Sequence, residues 1–457
     1  MFPTCLTPHM LALDVERGLP RAEPRPLYAA PAECIDPAQL ARQEQVSGSF
    51  DQEISTDHFL VVYDASNAAL DEATLDVVTG ALERSWTVMV DEHGWAAPSQ
   101  TESCLITVLL GDLSGGSSGT GGWTNVNEEG GVPFIVLNTD WFADGDDWIQ
   151  SLIAHEFNHA SQFDYNVFWD EQDWWYWEST AEWSFELPYP DANTWTYSLW
   201  SYFDAPYLAL DSDTGYVNYG HFTFNTYLSE QVDPAAPRLA WEAATADTHV
   251  DDAIVAALGT PFDEILAGWT AHVASMDVAE GDLWLAVMSD FDTDPYTAHV
   301  TTYPSQGSVT GKTAPQGRGQ NFFELASDEP RDLWFTLDGA ASVKDVPTDW
   351  AITVSTETAD GTIGHATHLA TDGYARVAID DLGGAAVAAY VGVIPLNDIG
   401  ERGASYTWSV AEQRSEGDVM AEEPAACGCQ SGAAPAGLGL LVATFAARRR
   451  AERSLRL

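Results

Sequence analysis

The stretch "SLIAHEFNHASQF" (residues 151–163) carries two histidines four positions apart, with a glutamate directly after the first. In an α-helix, residues i and i+4 lie one above the other on the same face. His155 and His159 are therefore placed to bind one metal ion, with Glu156 at the edge of that face. The pattern indicates either a metal-dependent hydrolase or a chance match, which we expect in roughly one such chain in sixty.

A candidate third ligand lies nineteen residues after His159, where "WWYWESTAEW" (174–183) places Glu178. Two imidazoles and one carboxylate leave zinc an open fourth position for water. Requiring a glutamate at that position lowers the chance expectation to roughly one chain in a thousand. Glu182 follows one helical turn later and can accept the outer N–H of a ligand histidine, which fixes its tautomer.

The order HExxH, eighteen residues, then Glu resembles the gluzincin metallopeptidases, the group that includes thermolysin and the aminopeptidase N type. The resemblance implies a zincin-like domain that hydrolyses peptide bonds. It also implies one Zn²⁺ bound by His155, His159 and Glu178, with Glu156 as the general base. Trp177 stands where that group often has asparagine. This departure does not favour recognition of the exopeptidase type, so we expect an endopeptidase.

A donor for the oxyanion is expected downstream, in "GYVNYGHFTF" (215–224). Tyr216, Tyr219 and His221 are the candidates. We favour Tyr219 because its Tyr-Gly pair resembles hyicolysin-like peptidases. Core packing is the alternative role for all three side chains.

Other metal sites have weaker support. "DSDTG" (211–215) is a possible Ca²⁺ site, although it lacks the spaced ligands of an EF-hand loop. The downstream histidines show no ligand spacing and are predicted to be surface or structural residues. They are His249, His272, His299, His365 and His368.

The charge of the chain bears on its partners. Asp and Glu number 70 against 18 Lys and Arg, which argues against nucleic acid because phosphate binding needs clustered cations. We expect a protein or peptide substrate. None of the five cysteines forms a CxxC pair. Cys34 and Cys104 can form one disulfide if the protein is exported.

The two ends differ in composition from the rest of the chain. Residues 1–47 are predicted to be a leader or propeptide-like segment, and 413–457 an acidic linker and tail. Cys427-Gly428-Cys429, a glycine-rich apolar run and an arginine cluster resemble the MYXO-CTERM sorting tail of myxobacterial surface proteins. This resemblance implies export to the cell surface or the medium, with a tail that engages the membrane and a processing enzyme. The start lacks a signal peptide, for which we favour a misassigned start codon.

Periodicity between the ends predicts an α+β protein, with a domain of mixed strands and helices over 48–290 followed by a C-terminal β-sandwich over 296–412. The gluzincin resemblance implies that the domain over 48–290 is zincin-like. The predicted strands are 58–64, 104–110 and 132–138, and the predicted helices are 147–163, 174–186 and 220–231. The strand 132–138 is our candidate for the edge strand that aligns substrate. The glycine-rich residues 115–125 are predicted to form a flexible loop beside the cleft.

The favoured function is that of a zinc metallopeptidase. One alternative is a surface adhesin or binding module in which zinc is structural or absent. Another is a metal hydrolase that acts on a non-peptide amide.

Overall fold

A computed structural model describes residues 34–413, except 45, 100, 102, 113–119, 127–131, 340–347 and 372, and also the short strand Thr4–Cys5. These residues belong to one compact unit, Met1–Gln413. The predicted sorting tail and most of the predicted leader lie outside the described residues. Within the described part of the chain, no helix is long and apolar enough to cross a membrane.

The first part of the protein is built on a six-stranded mixed sheet with the order β1-β5-β6-β4-β3-β2. Strands β3, β4 and β6 run parallel, whereas β5 is antiparallel to β6. Every residue of β4 and β6 is buried, because helices cover both faces of the sheet. The three predicted strands are confirmed to within two residues. The strands are β1 Thr4–Cys5, β2 Gln52–Ser55, β3 Phe59–Tyr63, β4 Ile106–Gly111, β5 Thr120–Val126 and β6 Pro133–Asn138.

Two sequence predictions for this sheet are wrong. Pro133–Asn138 is not an edge strand, because it pairs with β4 on one side and β5 on the other. Residues 120–125, predicted to be loop, belong to strand β5. Gly122 suits this strand because a Cβ there would lie 2.7 Å from the Val136 carbonyl and 3.1 Å from Oε1 of Glu156. The glycine therefore marks close packing of a strand on the helix that carries the HExxH motif.

Eleven α-helices are described, and the first three along the chain pack against the six-stranded sheet. Predicted helices 147–163 and 174–186 are confirmed, but 220–231 is divided into two short helices and a π-helical turn, Leu228–Val232. The helices are α1 Pro37–Gln43, α2 Glu72–Trp86, α3 Asp146–Tyr165, α4 Trp174–Ser184, α5 Thr196–Asp204, α6 Val217–Gly220, α7 Phe222–Tyr227, α8 Ala236–Ala243, α9 Val250–Leu258, α10 Phe262–Ala274 and α11 Gly281–Asp290.

Helix α3 lies at the centre of the helical part, between the sheet and α4. The helix ends where Asn166 adopts the left-handed conformation, with φ of 56°. Burial on all sides explains why this helix shows no clear polar face, and it places the HExxH residues inside the protein.

The burial of α3 is continuous along its length. Every residue from Ser151 to Phe163 is buried, and so is Ile149, which together makes fourteen buried residues in the helix. Its apolar side chains join the large core cluster that also contains residues of β3, β4 and α2.

A disulfide joins Cys34 to Cys104, the pairing that the sequence had left open. It ties the residues just before α1 to the loop that leads into β4. The bond closes a separation of 70 residues.

Nine strands follow the helices and form two groups that are joined through one residue pair, Leu382 with Ala386. One group has the order β12-β11-β14-β9-β7 and the other β13-β10-β15-β8. Inward side chains of both groups share one apolar core. This pairing fits the layered β structure expected for 296–412. The strands are β7 Tyr296–Val300, β8 Ser305–Val309, β9 Asn321–Leu325, β10 Arg331–Asp338, β11 Trp350–Thr358, β12 Ile363–Ala370, β13 Tyr374–Leu382, β14 Ala386–Pro395 and β15 Tyr406–Glu412.

Candidate metal centre

Helices α3 and α4 bring three ligand groups to one point. Nε2 of His155 lies 3.2 Å from Nε2 of His159 and 3.2 Å from Oε2 of Glu178. Nε2 of His159 lies 3.7 Å from the same carboxylate oxygen. Tetrahedral ligands at zinc bond lengths of about 2.0–2.1 Å are about 3.3 Å apart. The triangle formed by these three atoms therefore has the size of one face of a metal tetrahedron.

Hydrogen bonds at the far side of each ring determine which nitrogen faces this point. Nδ1 of His155 lies 3.2 Å from Oε2 of Glu182, and Nδ1 of His159 lies 2.6 Å from Oε1 of Gln162. Both oxygens accept, so both Nδ1 atoms carry the hydrogen in the neutral rings. Each Nε2 then presents a lone pair to the centre, which is the tautomer that a metal ligand needs.

The two outer partners are themselves held in place. Ser198 on α5 donates to Oε1 of Glu182 over 2.6 Å, and this leaves Oε2 for His155. The amide of Gln162 donates to Oδ1 of Asn158 and to the carbonyl of Trp177. Gln162 was not among the predicted site residues. Its position three residues after His159, on the same helical face, was the available signal.

Glu178 is fully buried, and neither of its carboxylate oxygens has a hydrogen-bond partner within the described part of the protein. The short distance to His155 is not a hydrogen bond while both Nε2 atoms hold lone pairs. A proton or a metal ion is needed among these three groups, because a buried carboxylate without a partner is costly. The donor set fits a divalent metal ion, and these three residues form a group able to hold one.

The electrostatics of the centre favour positive charge. Burial by itself lowers the pKa of His155, but the neighbouring carboxylates of Glu178 and Glu182, which stabilise a protonated imidazole, outweigh it and raise the pKa to about 10. Burial likewise raises the pKa of Glu178, but His159 and His155 outweigh it and lower the pKa to about 2. A metal ion would take the place of the proton that these carboxylates stabilise.

Glu156 is fully buried beside the three ligands, beneath strand β5. Thr124 lies 2.8 Å from Oε2 of Glu156 and 2.8 Å from its backbone carbonyl. Oε1 has no hydrogen-bond partner among the described residues and lies close to Gly122. Burial raises the pKa of this carboxyl group, although the charges of His159 and His155 oppose the shift. One oxygen is thus anchored and the other is free to exchange a proton.

The structure separates the three candidates for the oxyanion donor. The ring of Tyr219 stacks on His155 with 6.0 Å between centroids and 19° between planes. Tyr216 is exposed and lies against Tyr219, so it is one ring farther from His155 than Tyr219 is. His221 is buried between Trp175 and other aromatic rings, and burial lowers its pKa to about 3. Tyr219 therefore lies beside the candidate metal centre, whereas His221 is a core residue.

Two further groups of potential ligands occur among the described residues. They are His272, Asp277 and His365, and Asp170, Asp173 and His249. Asp211 and Asp213 of the possible Ca²⁺ segment belong to neither group. Three of the histidines that the sequence predicted to be surface or structural residues belong to these groups, and a fourth, His299, lies 2.8 Å from Asp294 and 2.5 Å from Glu324.

Comparison with known proteins yields little. No protein-family model matches the chain, and no curated protein matches it. Among solved structures, the chain shows similarity to the crystal structure of Yersinia pseudotuberculosis-derived mitogen (YPM). That match has 14% identity and a TM-score of 0.18, and it covers 27% of this chain and 99% of the other. A score at this level supports no conclusion about fold or function.

Proposed function

We propose that the protein is a zinc-dependent metallopeptidase of the zincin-like, gluzincin type that acts as an endopeptidase. One observation carries the proposal. The lone pairs of His155 and His159 and the buried carboxylate of Glu178 converge with tetrahedral spacing, and Glu156 lies beside them. A structural histidine pair would need neither the unpartnered carboxylate nor the adjacent free carboxylate oxygen.

Zinc is the ion that this donor set suits best, since two neutral imidazoles and one carboxylate are typical of catalytic zinc sites. His155, His159 and Glu178 would hold the ion. When bound, zinc lowers the pKa of a coordinated water towards 7 and polarises the scissile carbonyl.

Glu156 is the proposed general base. Thr124 anchors Oε2, so Oε1 is the atom that takes a proton from the attacking water and later delivers it to the leaving amine. The raised pKa caused by burial suits this role, because a base with a pKa nearer the working pH also serves as an acid. Tyr219, stacked on His155, is the proposed donor to the oxyanion.

Strand β5 is the proposed guide for an extended substrate. It is antiparallel to β6, it contacts Glu156 through Gly122 and Thr124, and its outer edge faces away from the rest of the sheet. Residues Thr4–Cys5 pair along this edge, which indicates that it accepts an extended chain. Main-chain hydrogen bonds of this kind align peptides without regard to sequence.

Export to the cell surface is part of the proposal. The disulfide between Cys34 and Cys104 supports it, because such bonds persist in oxidising compartments. The predicted sorting tail lies outside the described residues and supplies the proposed contact with the membrane and a processing enzyme.

The test is Glu156→Gln in the purified full chain. The amide keeps the size of the side chain but does not take a proton, so cleavage of a mixed peptide digest should fall at least about a hundredfold. Zinc content, measured by metal analysis of the same preparation, should equal that of the wild type. Thr223→Ser, a buried hydroxyl on α7 that bonds the Gly220 carbonyl, is a matched control outside the centre.

Unchanged turnover in Glu156→Gln would contradict the mechanism. A wild-type protein that binds zinc but cleaves no peptide would favour the adhesin alternative. Hydrolysis of small amides without cleavage of peptides would favour the non-peptide amidase.

A further inference from the structure

A second histidine cluster lies where helix α10 packs against strands β11 and β12. His272 comes from the last turns of α10, Asp277 from the turn that follows, and His365 from β12. Their ligand atoms all lie within 4.8 Å of one another, and all three residues are half-buried. The amide of Asp277 donates to the carbonyl of His272 over 2.9 Å, which holds these two residues together.

Hydrogen bonds determine the tautomers of both histidines. Nδ1 of His272 lies 2.8 Å from the carbonyl of Gly268, which only accepts, so this nitrogen carries the hydrogen. Ser355 donates its hydroxyl hydrogen to the carbonyl of Ala271 over 3.0 Å. Its oxygen therefore accepts from Nδ1 of His365 at 2.8 Å. In the neutral rings, both Nε2 atoms are left with lone pairs.

These lone pairs lie close to a carboxylate. Nε2 of His365 is 2.9 Å from Oδ2 of Asp277, and the two imidazole centroids are 4.1 Å apart. A cation between the rings and the carboxylate would remove the repulsion between these acceptors.

We propose that His272, His365 and Asp277 bind a second divalent metal ion of the zinc class. The donor types are those of the first centre, two imidazoles and one carboxylate, and the outer hydrogen bonds from Nδ1 are those that orient metal-bound histidines. Because α10 and the turn that follows it carry two ligands and β12 carries the third, the ion would tie the helical part of the protein to the strands that follow it. The role is structural, and it does not depend on peptidase activity.

The experiment uses the full chain with the first centre removed by His155→Ala and His159→Ala. After chelation and dialysis, zinc alone is added back, and bound metal and thermal unfolding are measured. One equivalent should remain, and zinc should raise the melting temperature. Adding His365→Ala should abolish both effects. His368→Ala is the matched control, because His368 is exposed on the same strand and should leave the bound equivalent unchanged.

Retention of the zinc equivalent in the His365→Ala form would overturn the proposal, and so would no bound zinc in the parent form. In that second case His365 and Asp277 would form an ion pair only. If the variants fail to fold, diffraction from wild-type crystals at the zinc absorption edge decides the question. A peak between His272 and His365 supports the site, and its absence there overturns it.

Discussion

Glu182 supplies the sharpest test of how the first centre is organised. Its Oε2 lies 3.2 Å from Nδ1 of His155, its Oε1 accepts from Ser198 over 2.6 Å, and its side chain is only 12% exposed. The carboxylate orients His155 without belonging to the three convergent ligands. Replacing such an outer partner typically weakens metal affinity about 10–100-fold. We therefore expect Glu182→Ala to lose about 1.4–2.7 kcal/mol of zinc-binding free energy.

Three other variants should lose different amounts of zinc affinity, which can be ranked against the loss in Glu182→Ala. Glu178→Ala removes a ligand and should purify largely without zinc. Glu182→Gln keeps an oxygen that can accept from His155, so it should retain more affinity than Glu182→Ala. Ser198→Ala removes one donor to the Glu182 carboxylate but keeps that carboxylate beside His155, so it should cost less zinc affinity than Glu182→Ala.

The assay is competition against a graded series of zinc chelators, followed by metal analysis of the dialysed protein. Circular dichroism of each variant controls for loss of fold. If Glu182→Ala loses zinc more readily than Glu178→Ala, the assignment of ligand and outer partner is reversed. Equal affinity of Glu182→Ala and the wild type would show that Glu182 does not orient His155.

Two further predictions concern regulation and pH. Removing residues 1–33, which keeps Cys34, should lower KM in peptide cleavage and leave kcat unchanged, because Thr4–Cys5 pairs with the β5 edge proposed for substrate. An unchanged KM would mean that this pairing does not compete with substrate. Burial and then the charge of Glu280 raise the pKa of Glu186 from 4.5 to about 8. The folded state therefore holds this proton more tightly than the unfolded state does, and the wild type loses stability as the pH rises from about 4.5 to 8. Glu186→Gln should therefore unfold at higher denaturant concentration than the wild type at pH 8 and at nearly the same concentration at pH 4, and equal midpoints at pH 8 would contradict this reasoning.

Much of the fold was predictable from local pattern. The β3, β4 and β6 strands and helices α3 and α4 follow from hydrophobic runs and periodicity, which depend on nearby residues. Strand β5 was missed because its glycines are typical of loops, whereas close packing against Val136 and Glu156 makes Gly122 suitable for a strand. The order of the strands in the sheet could not be predicted from the sequence either, because pairing between distant segments leaves no local signal. The wrong edge assignment of Pro133–Asn138 follows from this.

His155, His159 and Glu178 could be predicted as one group before any contact was known, because helix geometry places the two histidines on one face and the spacing to Glu178 resembles a known motif. The orientation of these groups depends on contacts between elements that are distant in the chain. Thr124, Ser198 and Gln162 reach the centre from a strand and two helices.

The second cluster shows the same limit more clearly. His272 and His365 are 93 positions apart and share no motif, so no spacing rule relates them. They meet because α10 packs against β12, and burial between those elements keeps His272 neutral. Local sequence reports contacts along one helix or strand, whereas contacts between elements depend on how their buried faces pack.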